Sequence, residues 1–151
     1  DLLRRRVVER DVTLTCVSNE VGGDLIGNAR WLGVPLLDVL EEAGVRDGAD
    51  QLKSTSADGW TSGTPVAAIT DGRDALLSFG MNGEPLPPDH GAPVRLFVPG
   101  WFGCSCIKWV NELVFVDDSF RTVMPEILRQ HYNFLNSNVV VVKHWDFGTE
   151  L

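Results

Sequence analysis

Residues 81–100 read MNGEPLPPDHGAPVRLFVPG and carry much of the information about the fold. The pair Asn82-Gly83 is a strong turn signal, and it follows a β-prone run at 75–79. A second β-prone run occupies 93–98, after a segment rich in proline. We therefore predict two strands separated by an irregular loop that contains His90.

Other distinctive blocks lie on both sides of this stretch. Residues 13–20 read TLTCVSNE, which places Cys16 at the end of a β-like run and next to a segment rich in Gly and Asn. Residues 19–40 read NEVGGDLIGNARWLGVPLLDVL, and residues 107–110 read IKWV. A thiol delivered by a strand to the edge of a loop suits a soft metal ligand or a nucleophile, and a buried structural cysteine is the alternative.

In this order, the blocks strongly resemble the molybdopterin-binding domain of the sulfite oxidase family of oxidoreductases. The resemblance covers residues 11–117, and its most distinctive part is the motif Asp-His-Gly-x-Pro-Val-Arg at 89–95, followed by Lys-Trp. It implies an α+β fold of mixed β-sheets with short helices. The implied domain spans 1–118, and residues 119–151 are an unmatched C-terminal extension of it.

The resemblance also implies a molybdenum site. In the family a pyranopterin dithiolene supplies two sulfurs to molybdenum and one protein cysteine supplies a third, so Cys16 is the implied catalytic residue and metal ligand. A thiolate ligand suits a metal that cycles by two electrons. The implied cofactor contacts are Asp58, His90, Arg95, Cys106, Ile107 and Lys108.

Several of these residues have a simpler alternative role. Asp58 could cap a turn, His90 could be a turn histidine near Pro88, and Arg95 could form a salt bridge at a strand edge. Trp60 lies near the position where sulfite-oxidising members place an active-site Tyr. Because Trp lacks the phenol proton, we expect Trp60 to be a packed core residue.

The implied activity is a two-electron oxo transfer to or from a small-molecule oxo donor or acceptor. Sulfite-oxidising members follow the ligand cysteine with Asn-Arg-Arg, whereas this chain has Asn19-Glu20-Val21. A carboxylate at this position repels an anion. We therefore expect a neutral or zwitterionic substrate rather than sulfite, unless Arg30 or Arg73 supplies the positive charge.

The sequence bears on partners and location as well. A net charge of −8 disfavours nucleic acid as a partner. No haem-attachment motif occurs, so a separate haem- or quinone-linked electron-transfer partner is expected. Residues 22–31 resemble bacterial members that follow an N-terminal membrane domain, which implies an upstream membrane domain and the extracytoplasmic face of a bacterial membrane. A cytoplasmic location is the alternative.

Two other classes of function stay open. Cys16 and His90 could form a thiol enzyme with Asp89 or Asp58 as the orienting acid. Family domains also carry an upstream loop that closes over the cofactor, and residues 1–10 contain nothing like it, so the domain is expected to be partial at its N-terminus. The second alternative is therefore a non-catalytic remnant that acts as a scaffold or interaction module.

The rest of the chain predicts short strands and few helices. Pro35 suits the first position of a helix, and Gly44 suits the residue after its last turn. We expect the helix Leu36–Ala43 between them, with Leu36, Leu37 and Leu40 inward. Further predictions are strands at 12–17, 51–56 and 107–116, a short helix beginning at Thr64-Pro65, a helix at 125–134 and a strand at 138–142.

Overall fold

The computed structural model describes residues 2–45 and 47–116, which form two β-sheets and short helices. The helix predicted at 125–134 and the strand predicted at 138–142 lie outside the described residues. The described strands and α-helices are β1 (Val8–Thr15), β2 (Ile26–Pro35), α1 (Leu36–Ala43), β3 (Gln51–Ser56), β4 (Thr61–Pro65), α2 (Val66–Thr70), β5 (Leu76–Met81), β6 (Glu84–Pro85), β7 (Arg95–Phe97) and β8 (Val110–Val116).

The larger sheet, sheet 1, is built around β5. Strand β1 pairs with β2, and β2 pairs with β5. Strands β6 and β7 both pair with β5, at different parts of its length. Sheet 2 has the order β4-β3-β8. The pairs in both sheets are antiparallel, and the α+β class predicted from the sequence is confirmed.

Sheet 1 is buried on both faces around β5 and β7. Successive side chains of a strand point to opposite faces. Leu77 and Leu96 belong to one hydrophobic cluster, which also contains Leu36 of α1 and Leu52 of β3. The adjacent residues Leu76 and Phe97 belong to a second cluster. The first cluster therefore packs sheet 2 and the helices against sheet 1, and the second lies on the other face.

Helix α1 has the bounds predicted from its flanking residues. Pro35 precedes it with φ −53°, and Gly44 ends it with φ 75° while its N–H donates to the Leu40 carbonyl. Leu36 and Leu40, one turn apart, are fully buried as predicted. Leu37 was wrongly assigned to the core: it is half-buried, and Val39 packs against the cluster instead.

The other predicted elements exist with shifted bounds. Strand β3 matches its predicted range, and β1 begins earlier and ends one residue before Cys16. Thr64-Pro65 was predicted to open a helix but ends β4, and α2 begins at Val66. Residues 107–109 precede β8 rather than belonging to it. Within the described ranges, no helix is long and apolar enough to cross a membrane.

Strand β2 was not predicted at all. Its sequence, IGNARWLGVP, contains two glycines and an asparagine, residue types that are rare in strands. Glycine is required at position 33, because a Cβ there would lie 2.5 Å from the Leu77 carbonyl oxygen. The register between β2 and β5 also shifts at Leu32/Gly33. Tertiary pairing with β1 and β5 therefore decides the strand, and local propensity does not.

Candidate functional site

Cys16 lies immediately after β1, in a turn that is fixed by hydrogen bonds. Its N–H donates to the Leu25 carbonyl at 2.9 Å, and its own carbonyl accepts from the Asn19 N–H at 3.0 Å. The Asn19 side chain accepts from the Leu25 N–H at 2.8 Å and closes the loop from the other side. The Asn and Gly content around Cys16 therefore serves to present this residue at a defined position.

The Cys16 thiol is half-buried and lies 3.4 Å from the Ser18 hydroxyl. Hydrogen bonding from Ser18 lowers the pKa of Cys16 below its ordinary value. The thiolate is the form of cysteine that binds metals or attacks electrophiles. The local environment thus favours the reactive form.

The thiol faces a cavity of about 410 Å³, which we term the Cys16 cavity. Its apolar wall consists of Leu14, Leu25, Ile26, Trp31 and Met81. His90, Arg95 and Cys104 also line it. The structure therefore brings together Cys16, His90 and Arg95, which are separated by up to about eighty positions in sequence.

Arg95 is the principal buried charge of the site. Its exposed fraction is 6%, and its guanidinium donates to the carbonyls of Cys106 at 3.2 Å and His90 at 3.1 Å. The group also lies over the rings of Trp31 and Phe97. Among residues 2–45 and 47–116, Arg95 forms no ion pair with a carboxylate. The strand-edge salt bridge considered for this residue is therefore wrong.

A buried cation without a carboxylate partner is stabilised by binding an anion. Burial lowers the pKa of Arg95 because desolvation penalises the charged form, but a guanidinium stays protonated at neutral pH. Backbone carbonyls satisfy some of its N–H groups and leave its net charge uncompensated. Arginine is suited to bidentate binding of phosphate. The environment of Arg95 thus fits a phosphate group.

A second cleft adjoins the Cys16 cavity, and we term it the Lys108 cleft. Arg95, Gly103 and Cys104 line both spaces, so they form the boundary between them. The Lys108 cleft also has a volume of about 410 Å³. Its remaining lining residues are Ser56, Asp58, Trp60, Cys106, Ile107, Lys108 and Trp109. Lys108, one of the implied cofactor contacts, thus lies in this adjoining space and not in the Cys16 cavity.

Lys108 is positioned by the loop that contains His90. Its ammonium donates to the Asp89 carbonyl at 3.2 Å and lies 4.1 Å from the centre of the Trp109 ring. Gly91, with φ 109°, permits this packing, because a Cβ there would lie 2.8 Å from the Cβ of Lys108. The Asp-His-Gly segment and the Lys-Trp pair therefore form one unit in space.

Asp58 both caps a turn and lines the Lys108 cleft. Its carboxylate accepts from the Trp60 N–H at 3.0 Å. This hydrogen bond is the main reason why the pKa of Asp58 is lowered. The Ser56 hydroxyl and the charge of Lys108 lower it further. The Ser56 hydroxyl is itself buried, and it lies beside the Asp58 carboxylate.

Trp60 is not a core residue. Its exposed fraction is 41%, it lines the Lys108 cleft, and its indole N–H donates to the Cys104 carbonyl at 3.2 Å. The expectation of a packed core tryptophan was wrong because β4 begins only at Thr61, which leaves Trp60 in the turn. Its position indicates a role in fixing the boundary between the two spaces.

Cys106 and Ile107 contribute mainly through their backbone. The Cys106 carbonyl accepts from Arg95, and the Ile107 carbonyl accepts from the Leu96 N–H at 2.9 Å. The Cys106 thiol is fully buried, and burial raises the pKa of Cys106 to about 11. This thiol is therefore inert, and Cys106 orients Arg95 instead.

The charges near the Cys16 cavity differ from the prediction in detail. Asp24 lines the cavity, whereas Glu20 is exposed outside its lining. Arg30 pairs with Asp11, and Arg73 pairs with Asp71. Neither arginine lines the cavity, so neither supplies the substrate cation considered above. No motif in the sequence points to Asp24, because its place depends on the path of the loop after Cys16.

The thiol-enzyme alternative lacks a key contact. Cys16 and His90 line the same cavity, but the hydrogen-bond partner of the Cys16 thiol is Ser18. The lowered pKa of Cys16 also arises from Ser18 and neighbouring backbone, not from an imidazole.

Within the described residues, no group of three or more His, Cys, Asp or Glu side chains could hold a metal ion.

Comparisons with known proteins agree with this architecture. The family model described as oxidoreductase molybdopterin binding domain matches residues 1–124. Mitochondrial sulfite oxidase of Drosophila melanogaster is 40% identical over 106 residues, which cover 64% of this chain and 18% of that protein. Inducible nitrate reductase [NADH] 2 of Glycine max is 29% identical over 150 residues, covering 91% of this chain and 16% of that protein.

A solved structure shows the same fold. The sulfane dehydrogenase SoxCD of Paracoccus pantotrophus matches with a TM-score of 0.72 and 34% identity, over 78% of this chain and 34% of that chain. The chain spans less than a quarter of the length of the curated relatives it matches. Family match, identity and fold agree. The chain belongs to the oxidoreductase molybdopterin-binding domain family, the family of the sulfite oxidases.

Proposed function

We propose that this domain holds a molybdenum-molybdopterin cofactor across the Cys16 cavity and the Lys108 cleft, and that the complete protein catalyses a two-electron oxo transfer. The observation that carries the proposal is Arg95, a buried cation without a carboxylate partner in the described chain, at the boundary of both spaces. Cys16 lies on one side of Arg95 and Lys108 on the other. A thiol and a cation in this arrangement suit a ligand that carries both a metal and an anionic group.

The residues fit such a cofactor on chemical grounds. Cys16 would be the protein's sulfur ligand, since a thiolate binds soft metals and its pKa is already lowered by Ser18. Arg95 and Lys108 would bind the phosphate, as a fork and a point charge. Ser56 and Asp58 offer polar contacts for the pterin. His90 would contribute a polar side chain on the Cys16 side of the site.

Each residue has a task of binding or positioning. When bound, the cofactor supplies a metal that changes its oxidation state by two electrons, and the protein supplies orientation and electrostatics. Trp60 fixes the boundary by donating its indole N–H to the Cys104 carbonyl, and Cys106 does so by accepting from the Arg95 guanidinium at its own carbonyl. Leu25, Ile26 and Met81 give the cavity beside Cys16 an apolar wall.

A first prediction tests the role of Cys16. In cofactor-loaded protein, Cys16→Ser should reduce oxo-transfer activity at least about 100-fold, which is the upper end of the cost of losing a second-shell partner. The fold should be unchanged, because the thiol is half-buried and its hydrogen-bond partner is the Ser18 hydroxyl. Activity of the variant equal to that of wild type would contradict the proposal.

Cys106→Ser is the matched control. Its thiol is fully buried, so the hydroxyl should destabilise the domain by about 1–3 kcal/mol. Activity per mole of folded protein should nevertheless stay within a few-fold of wild type. Circular dichroism and thermal unfolding would separate this loss of stability from the loss of activity expected for Cys16→Ser.

The substrate is proposed to be neutral or zwitterionic. Asp24 is a carboxylate in the wall of the Cys16 cavity, and two unit charges 4 Å apart repel by about 4 kcal/mol at an effective dielectric constant of 20. Leu25 and Ile26 line this cavity and are partly exposed, which favours an apolar or weakly polar substrate such as a sulfoxide. Electrons would be exchanged with a separate haem- or quinone-linked partner.

A second prediction tests this charge argument. Asp24→Asn should raise kcat/KM for sulfite by about tenfold, equivalent to 1.4 kcal/mol, and leave a neutral sulfoxide almost unaffected. Glu20→Gln, which removes a carboxylate outside the cavity lining, should have a smaller effect. Efficient sulfite oxidation by the unmodified protein, unchanged in Asp24→Asn, would overturn the proposed substrate class.

A further inference from the structure

Cys104 is a second thiol in the Cys16 cavity, and the proposed function does not use it. The chain has three cysteines, and all of them are free. Cys104 is half-buried and lines the cavity together with Cys16. Cys106, only two residues away, is fully buried and does not line it. Of these two neighbouring cysteines, only Cys104 therefore lines the cavity.

The backbones that carry Cys16 and Cys104 are in direct contact. The Gly103 N–H donates to the Thr15 carbonyl at 2.9 Å. Cys16 directly follows Thr15 in the chain, and Cys104 directly follows Gly103. This hydrogen bond brings the two chain segments side by side one residue before each cysteine, and disulfides join cysteines whose Cα atoms are about 4.4–6.8 Å apart. A Cβ on Gly103 would lie 3.6 Å from the same carbonyl oxygen, which confirms the close approach.

Both segments are held in place from their outer sides. Cys16 is fixed by its bonds to Leu25 and Asn19, and the Cys104 carbonyl is held by the Trp60 indole. Both side chains line the same cavity from these fixed backbones, so rotation about χ1 is the movement available to join the two sulfurs.

We propose that Cys16 and Cys104 form an intramolecular disulfide when the cofactor-free protein meets a disulfide oxidant such as glutathione disulfide. Cys16 attacks the oxidant, its S–S bond breaks, and one glutathione leaves as a thiol. Cys104 then displaces the second glutathione, so that both protein thiols lose their hydrogens to two glutathione molecules. A reducing dithiol reverses the reaction.

The disulfide would make Cys16 unavailable as a ligand and would protect it from irreversible oxidation. Cofactor insertion would then require prior reduction of the protein. This consequence rests on the proposed function, whereas formation of the disulfide does not. The two can therefore fail separately: absence of molybdenum would leave the disulfide intact, and absence of the disulfide would leave cofactor binding intact.

The test is mass spectrometry of the whole chain, produced without the cofactor, reduced, and exposed to glutathione disulfide. Trypsin releases Cys16 on peptide 11–30, and Cys104 and Cys106 together on peptide 96–108. Wild type should give a link between these peptides, and thiols titrated after denaturation should fall from three to one. Protein loaded with cofactor should give no link.

Two variants identify the partner thiol. Cys106→Ser should still form the link, and Cys104→Ser should instead keep glutathione attached to Cys16, with Cys104→Ala as a second version if the serine variant does not fold. A link that survives in Cys104→Ser would overturn the proposal. So would wild-type protein that keeps a stable glutathione adduct on Cys16 while Cys104 stays free.

Discussion

At the scale of single residues, the site depends on two side chains whose surroundings differ in kind. Arg95 is buried between aromatic rings and backbone carbonyls and lacks an anion among the described residues. Cys16 is half-exposed at a cavity wall, and its thiolate is stabilised mainly by the Ser18 hydroxyl, with further hydrogen bonds from neighbouring backbone. Positive charge and an activated sulfur are thus presented to the same space.

The role of Ser18 leads to a third prediction, which concerns pH. In cofactor-free protein, Ser18→Ala should raise the pKa of Cys16, because the hydrogen bond that stabilises the thiolate is lost. Alkylation of Cys16 by iodoacetamide should then be severalfold slower at neutral pH than in wild type. The plot of its alkylation rate against pH should shift to higher pH.

Cys104 provides an internal control in the same experiment. Burial raises its pKa, so it should alkylate at higher pH than Cys16 in wild type and should respond little to Ser18→Ala. An unchanged Cys16 profile in the variant would show that Ser18 does not control the thiolate. The rates are measured by peptide mass spectrometry at a series of pH values.

At the scale of secondary structure elements, β2 connects the Cys16 loop to the core. It begins at Ile26, in the cavity wall, and ends at Pro35, where α1 starts. Between them, Trp31 packs on Phe97 with ring centres 4.1 Å apart and forms part of the same wall. The position of the cavity wall therefore depends on how closely β2 approaches β5.

A fourth prediction tests that approach. Gly33→Ala should lower the free energy of unfolding by about 1–3 kcal/mol, because the added Cβ meets backbone atoms of Leu77 and Ser78 at 2.5 and 2.8 Å. Backbone atoms cannot rotate away, so β2 and β5 must separate. Denaturant titration of the folded domain measures the loss.

Gly27→Ala is the matched control in the same strand. A Cβ on Gly27 has no heavy atom within 4 Å, and alanine is better suited than glycine to a strand. Its unfolding free energy should equal that of wild type or exceed it by up to about 1 kcal/mol. Equal losses for both variants would mean that the close contact between β2 and β5 is not responsible.

The elements also show what the sequence could predict. Local signals were sufficient for α1, with Pro35 and Gly44 at its ends, and for β3, whose burial alternates strictly. They were insufficient for β2, where Gly33 is required by a neighbouring strand rather than by local conformation. For the site, the motifs identified Cys16, His90 and Arg95, but only the fold places Asp24, Cys104 and Trp60 around them.

At the scale of the whole molecule, the site lies where segments distant in sequence meet. The end of β1, the loop at 88–91 and the segment at 103–109 come together through hydrogen bonds such as Gly103 to Thr15 and Trp109 to Gly91. None of these segments can form a cavity alone. Loss of the fold should therefore abolish cofactor binding as a whole, rather than weaken one contact.

The most direct test of the account is the molybdenum content of the protein, measured by elemental analysis after production in a host that makes the cofactor. We predict close to one molybdenum per wild-type chain and per Cys106→Ser chain, after correction for folded protein. Cys16→Ser and Arg95→Gln should each retain less than about one tenth of that amount, because a metal ligand or the buried phosphate partner is lost. Wild-type protein that is folded but contains no molybdenum, or a Cys16→Ser variant that retains as much as wild type, would contradict the account.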